Sequence, residues 1–375
     1  MQLKYTLYMQ IIDEIYEELH PDIIIKEMCP IDRVLFFDIE TTGLSKETTN
    51  IYLIGCGYYI NDSLHVKLIF GDNTLEEYSV IKEFFQFASS FSYLIHFNGS
   101  KFDLPYLAYK SAKLSLNNPL SNMTSIDIYN MCKPLRYLLF PDSMRQKKIE
   151  EFMHICRKDM YDGGQLIEVY KKYESNHSSV LLEMLLLHNR EDVIGMHKII
   201  PILHYSSLLT DKLHYIDMQD NKYRDYFGRE CHEVLIRFHT EASFPYSFTS
   251  KTNTMYMKAD ASTGELTFRL PIYEGTFKHY FTNYRDYWYL PEEEICIHKD
   301  MADSVDKHSR IKATKETASV TVSGTFLNQP SNLFEPCCKT SYKDKKLYFP
   351  FPDGFDESKA DEFGSMLLSV LASRR

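Results

Sequence analysis

A chain of 375 residues, 44% hydrophobic and 25% charged, is ordinary globular material and long enough for two domains, since single cores usually stop growing at roughly 250–300 residues. Its formal net charge of −10 argues against non-specific wrapping of nucleic acid. It does not exclude an enzyme that acts on one, because an acidic active site is neutralised locally by bound metal. No apolar stretch approaches the roughly 20 residues that span a bilayer. The acidic start (Asp13, Glu14, Glu17, Glu18) lacks the basic region and cleavage site of a signal peptide, so a cytoplasmic protein without membrane contact is expected.

In chain order, Leu7–Leu19 carries apolar residues near helical spacing with acids between them, which predicts an amphipathic helix within an N-terminal helical extension over residues 1–30. Strand patterns follow at Val34–Ile39, Ile51–Tyr59 and Leu64–Phe70, with Asn61-Asp62 as the hairpin turn between the second and third. A helix is expected over Leu75–Phe87, a strand over Tyr93–Phe97, a helix over Lys101–Leu114 and a short strand over Ser125–Tyr129; Met131–Leu203 reads as helical with breaks. Three antiparallel strands followed by alternating helix and strand predict an α/β fold, a ribonuclease H-like mixed sheet flanked by helices, over residues 31–205. From residue 206 the pattern turns to short strands (Glu233–Phe238, Thr254–Lys258, Leu266–Leu270) and aromatic clusters (Phe277–Phe281, Tyr287–Leu290), which predicts a β-rich accessory domain over 206–375.

The most informative segment is Phe36-Phe37-Asp38-Ile39-Glu40-Thr41-Thr42-Gly43-Leu44. Side chains two apart on a strand share a face, so Asp38 and Glu40 converge at the end of an apolar strand. Two uncompensated carboxylates there would be costly, and a divalent cation with hard oxygen ligands is the usual compensation. A second segment, Leu94 to Asp103, places an Asn98-Gly99 turn after a strand and Asp103 in the first turn of a helix, pointing back to the strand ends. Gly99 is expected to supply the backbone freedom at that turn. In the third, Leu187-His188-Asn189-Arg190-Glu191-Asp192-Val193, His188 and Asp192 stand at i, i+4 on one helical face.

With these three motifs in order, and with Lys148-Ile149-Glu150-Glu151-Phe152 and Asp162-Gly163-Gly164 between the last two, the chain resembles the DEDD (DnaQ-like) exonuclease superfamily. Within it, the chain more closely resembles the YprB-like ribonuclease H-like domain of bacterial proteins. The resemblance covers about Ile31 to Tyr205. It implies a metal-dependent 3′–5′ exonuclease of DNA or RNA in the bacterial cytoplasm, with Asp38, Glu40, Asp103 and Asp192 as metal ligands and His188 as the group that activates water. Two ions, Mg2+ or Mn2+, would lie roughly 4 Å apart, Asp38 bridging them, Glu40 and Asp192 on the first and Asp103 holding the second through water. Histidine-type members of that superfamily usually place the base five residues before the last aspartate. Here the spacing is four, as in the YprB-like group.

Thr41, Asn98 and Lys101 are candidate contacts for the substrate, expected to be a single-stranded nucleic-acid end, although Asn98 also suits a purely turn-forming role. Asp127 is open to either of two roles, lining the site or hydrogen-bonding within the fold. Lys147-Lys148 and Lys171-Lys172 are phosphate-steering residues or solvated helix faces. Arg285, Trp288 and Lys307 form a stacking platform for single strands, or the aromatics there form the core of a small β domain. The eight cysteines include no C-x-x-C pair and read as reduced thiols; Cys337-Cys338 alone is not a zinc signature. Two other readings stay open: a nucleic-acid-binding module that turns over poorly, and a structure-selective endonuclease with the same metals.

Overall fold

The computed structural model describes residues 9–140 and 142–373. The chain divides into two compact units, one from residues up to Arg136 with Phe140–His204, the other from Tyr137–Leu139 with Tyr205 onward.

The first unit is built on a six-stranded sheet of β1 (Gln10–Tyr16), β2 (Val34–Thr41), β3 (Ile51–Ile60), β4 (Ser63–Phe70), β5 (Tyr93–His96) and β6 (Thr124–Asp127), in the order β1-β4-β3-β2-β5-β6. Strands β1 to β4 pair antiparallel in that order, while β5 is parallel to β2 and β6 to β5. This is the mixed sheet expected. Its helices are α1 (Ile23–Met28), α2 (Glu77–Ala88), α3 (Asp103–Lys113), α4 (Ile128–Cys132), α5 (Arg136–Leu139, whose last three residues belong to the second unit), α6 (Gln146–Phe152), α7 (Gly163–Asn176) and α8 (Ser179–Ile199).

The strand β2 explains why the site lies where it does. Both of its faces are covered, which is why its sequence is a near-continuous apolar run and not an alternating one. Leu35, Phe37 and Ile39 pack with Val80, Ile81, Phe84 and Phe85 of α2 and with Leu107 of α3. Fully burying one such side chain contributes roughly 1.5–3 kcal/mol. The alternate residues face α8: Phe36 meets His197 edge-to-face at 6.3 Å, Asp38 meets Asn189 and Glu40 meets His188. The two carboxylates therefore leave the strand on its α8 side, where the strand period of two puts them. Asn61 and Asp62, both at positive φ (51° and 62°), make the β3–β4 hairpin turn, a backbone these residue types tolerate.

The helix expected over Leu7–Leu19 is not formed; Leu7 and Tyr8 lie outside the described residues, and Gln10–Tyr16 is a strand. Ile11, Ile12, Ile15 and Tyr16 fit helical spacing as sequence. The free edge of β4 decides the matter, because seven residue pairs from Gln10↔Phe70 to Tyr16↔Leu64 satisfy backbone groups on both strands. Lys67 on β4 adds an ion pair to its partner Asp13 at 2.8 Å. Among the described residues up to 30, the helical part is the short α1. The strand expected over Ser125–Tyr129 ends at Asp127, which caps α4 through its side chain.

The second unit is β-rich, as expected. A five-stranded sheet runs β7 (His214–Arg224), β8 (Glu230–His239), β11 (Glu265–Pro271), β10 (Tyr256–Asp260), β9 (Phe248–Lys251). A closed barrel follows from β12 (Tyr273–Tyr280), β16 (Ser319–Gln329), β18 (Leu347–Pro350) and β17 (Cys338–Lys339). A three-stranded sheet of β14 (Ile295–His298), β13 (Tyr287–Leu290) and β15 (Ile311–Lys312), and the helix α9 (Ala360–Ala372), complete it. Phe277, Phe326, Cys338 and Tyr348 fill the barrel, so this part of the aromatic cluster is core. Trp288 lies with Lys312 at 4.0 Å and Arg310 at 5.0 Å from its ring centre, while Arg285 packs on Tyr284.

Candidate active site

The helix α8 brings His188, Asn189 and Asp192 to the carboxylate end of β2. Asn189, wholly buried, donates from Nδ2 to Asp38 Oδ2 at 2.9 Å and so fixes that carboxylate's rotamer. One residue earlier, His188 Nε2 stands 3.5 Å from Glu40 Oε1 and 3.1 Å from Asp192 Oδ2. Ligand atoms of Glu40, His188 and Asp192 all lie within 4.8 Å of one another. The close approach of α8 to the sheet needs Gly55, paired opposite Asp38 on β3, because a Cβ there would lie 2.1 Å from Asn189 Oδ1.

Asp103 enters from the other side of β2. It stands in the first turn of α3, buried, and its Oδ1 accepts from the Ile39 backbone N–H at 3.4 Å. The preceding turn differs from expectation in one respect. The left-handed residue is Asn98 (φ 60°), whereas Gly99 is required by close approach, since a Cβ there would meet the His96 ring at 2.9 Å and Asp103 Oδ2 at 3.1 Å. His96 accepts the Gly99 N–H on Nδ1 and pairs with Ser125 Oγ through Nε2. Asp127 accepts from the Asn98 N–H at 2.9 Å and from Asn130 Nδ2 at 3.0 Å, so of its two readings the structure shows the hydrogen-bonding one.

A residue the sequence reading missed completes the histidine. The imidazole Nδ1–H donates to Asp159 Oδ2 at 2.7 Å. A carboxylate has no proton to give, so the proton sits on Nδ1 and Nε2 is the atom left facing Glu40 and Asp192. Asp159 lies in the loop between α6 and α7, and three contacts hold that loop in place. Lys147 bonds Asp159 Oδ2 at 2.9 Å and also the Tyr161 carbonyl. Glu191 accepts the backbone N–H groups of Lys158 and Asp159 at 3.0 and 2.9 Å. Arg157 clamps buried Glu150 with Nε and Nη2 and reaches Asp192 Oδ1 at 2.6 Å. Gln146 ties the same group together, donating to Glu150 Oε1 and to the Asp192 carbonyl, each at 2.9 Å.

The electrostatics of the cluster follow from burial. Desolvation, then the charges of Asp192, Glu40 and Asp103, pushes Asp38 well above the usual carboxylate range. Burial likewise raises Glu40 to about 7 against the opposing pull of His188. Asp103 is raised to about 7 by burial, despite the hydrogen bond from Ile39. Burial alone would depress His188; the bond to Asp159 and the charges of Asp192 and Glu40 overcome it and hold the imidazole at about 9. Asp159, though buried, is kept well below the usual range by His188 and Lys147. Carboxylates that resist ionisation for want of positive charge form a donor set suited to a divalent cation, so the residues present fit such an ion.

Of the remaining candidates, Thr41 spends its hydroxyl on the Gly43 carbonyl at 2.8 Å. Lys101 is exposed beside the Asn98 turn. Lys148 pairs with Glu151, and Lys171 with Glu168, each at 2.7 Å, so these are helix-face pairs.

Residues 35–204 match the model of the RNase_H superfamily, so the first unit contains an RNase H-like domain. Among solved structures, the chain is similar to the family B DNA polymerase of the hyperthermophilic archaeon Pyrobaculum calidifontis (12% identity, TM-score 0.36, 71% of this chain and 35% of that one). It is also similar to apo exonuclease I (11%, TM-score 0.28, 60% and 56%) and to the zinc-bound exonuclease I–single-stranded DNA complex of E. coli (10%, TM-score 0.28, 90% and 69%). The chain thus spans 35% and 56% of the first two of these structures. No curated protein sequence matches it significantly. Among the described residues, no helix is long and apolar enough to cross a membrane.

Proposed function

We propose that residues 31–205 form a metal-dependent nuclease of the DEDD type, a 3′–5′ exonuclease acting on DNA or RNA in the bacterial cytoplasm, with residues 206–375 as an accessory domain. The observation that carries this reading is the convergence of Glu40, His188 and Asp192 within 4.8 Å, next to Asp38 and Asp103, whose carboxyl groups burial pushes above the usual carboxylate range. The four-residue spacing of His188 and Asp192 supports the YprB-like subgroup in particular.

Asp38, Glu40, Asp103 and Asp192 would hold Mg2+ or Mn2+. When bound, such ions lower the pKa of water and stabilise charge developing on phosphate oxygens. The chain's own residues set the stage for that chemistry. Asn189 orients Asp38. Asp159 keeps the proton of His188 on Nδ1, leaving Nε2 to accept a proton from water on the carboxylate side once the imidazole is neutral. Arg157, shared between Glu150 and Asp192, offsets part of the negative charge.

The test is digestion of end-labelled single-stranded DNA and RNA with Mn2+ or Mg2+, wild type beside Asp38→Ala. Metal-dependent stepwise shortening that disappears in the variant supports the exonuclease, and the label position fixes direction. Cleavage of a substrate with blocked ends would mark an endonuclease instead. Intact substrate with wild type, despite binding, would refute the enzymatic reading in favour of a binding module.

A further inference from the structure

We infer that a cleft between the Asn98 turn and the start of α6 seats the end of a single nucleic-acid strand, its phosphates against Lys101 and Arg145 and a base against Tyr129 and Phe97. The inference rests on the nuclease reading above and names the substrate surface of that site. The cleft has a volume of about 500 Å3, within the roughly 300–1,000 Å3 usual for ligand sites.

Its position ties it to the carboxylates at both ends. One wall is the Asn98–Lys101 turn, which leads directly into α3 and Asp103. The opposite wall includes Gln146, which donates to the Asp192 backbone carbonyl at 2.9 Å. A chain lying in the cleft would therefore present its end to the converged acids.

Its chemistry is that of a polyanion site. Lys101, Arg136 and Arg145 line it against a single acid, Asp142, on a chain whose net charge is −10. Neither Lys101 nor Arg145 makes an ion pair among the described residues, in contrast to Lys147, Lys148 and Arg157 nearby, which are all engaged. By comparison, a cavity of about 620 Å3 beside α8 sets Arg157, Lys158, Arg190 and Lys198 against five glutamates, so it carries no excess of positive charge for a polyanion. Phe97 and Tyr129 pack edge-to-face at 5.7 Å and are both half-buried, which gives the cleft a fixed aromatic wall. Cations that track a backbone, beside rings that receive bases, are how single strands are held without sequence preference.

Binding is measured without turnover, by fluorescence anisotropy of a labelled oligothymidylate on full-length Asp38→Ala protein in Mg2+, beside an abasic strand of equal length. Adding Lys101→Ala and Arg145→Ala is expected to weaken binding at least tenfold and to reduce the salt slope by about 1.4, from two lost phosphate contacts at roughly 0.7 each. Adding Tyr129→Ala should weaken oligothymidylate about tenfold and leave the abasic strand unaffected. Thermal unfolding of each variant confirms that it folds. Unchanged affinity and salt slope in the folded lysine–arginine variant would overturn the proposal, as would equal losses for both strands with Tyr129→Ala. Binding that depends on these residues while wild type fails to cleave would uphold the cleft and sink only the nuclease reading.

Discussion

Raising the pH of the metal-free protein from 6.5 to 9 is expected to destabilise the first unit, and a divalent ion is expected to reverse that trend. His188 is held at about 9 in the fold, against roughly 6.5 in an unfolded chain. The folded protein keeps a proton that the unfolded chain has released, so this contribution is fully present below pH 6.5 and is lost as the pH rises through 9. At about 1.4 kcal/mol per pH unit, the loss is on the order of 3 kcal/mol. Glu40 and Asp103, raised to about 7, act in the same direction. Each stays protonated longer in the fold than in the unfolded chain, so each loses stability with rising pH until a little above 7. The three groups share one field and their contributions overlap instead of adding. His197 works the other way: buried and held neutral, pushed down to about 4, it costs stability only as the pH falls below 6.5, and the window therefore begins there. For a unit of about 200 residues, 1 kcal/mol corresponds to roughly 2–4 °C. The Tm in EDTA should then fall by roughly 10 °C between pH 6.5 and 9, as followed by circular dichroism. Saturating Mn2+ should raise the Tm most at pH 9, because metal binding competes with protons for the same groups. His188→Gln should remove most of the slope. A metal-free Tm that is flat or rises across this window, or that Mn2+ leaves unchanged at pH 9, would refute the electrostatic account of the site.

Asp159→Asn keeps the shape of the loop but removes the negative charge facing His188 Nδ1, and the turnover number should fall roughly 10–100-fold, the scale of effect when a functional histidine loses the carboxylate that orients it; an unchanged kcat would show that His188 needs no orienter. Gly55→Ala drives a methyl group into Asn189 and should cost roughly 1–3 kcal/mol in urea unfolding together with at least tenfold in activity. Full activity would mean that the Asn189–Asp38 bond is dispensable. Arg157→Ala leaves Glu150, 1% exposed, as an unpaired buried charge and should destabilise by roughly 3–5 kcal/mol in the same assay; Arg157→Ala with Glu150→Gln should recover a large part of that loss.

The parts of the site that follow a period were legible in the sequence. Asp38 and Glu40 obey the two-residue repeat of a strand, and His188 and Asp192 the four-residue step of a helix, so their shared faces could be read without coordinates. Asp159 could not be found this way, because it lies in an aperiodic loop whose place is set by Lys147, Glu191 and Arg157, contacts made by folding and not by spacing. Asn189 was in view but without a role, since the atom it holds lies 151 residues away. At β1 the pattern itself was ambiguous: apolar residues at 11, 12, 15 and 16 suit a helix, and only the unpaired edge of β4 selects the strand. The Asn98-Gly99 turn was placed correctly, yet the left-handed backbone falls on the asparagine, because the glycine is needed for room.

Five consecutive residues of α8 have five separate destinations. His188 goes to Asp159 and the acids, Asn189 to Asp38, Arg190 to Glu14 and Glu183, Glu191 to the backbone of the 158–159 loop, and Asp192 to Arg157. Each added residue turns a helix by about 100°. An insertion or deletion of one residue anywhere between Ser179 and Leu187 would either be absorbed at the N-terminal end of the helix or rotate all five contacts out of phase at once. Substitution can disable this site one contact at a time, whereas a shift in length confronts it with a single all-or-none demand.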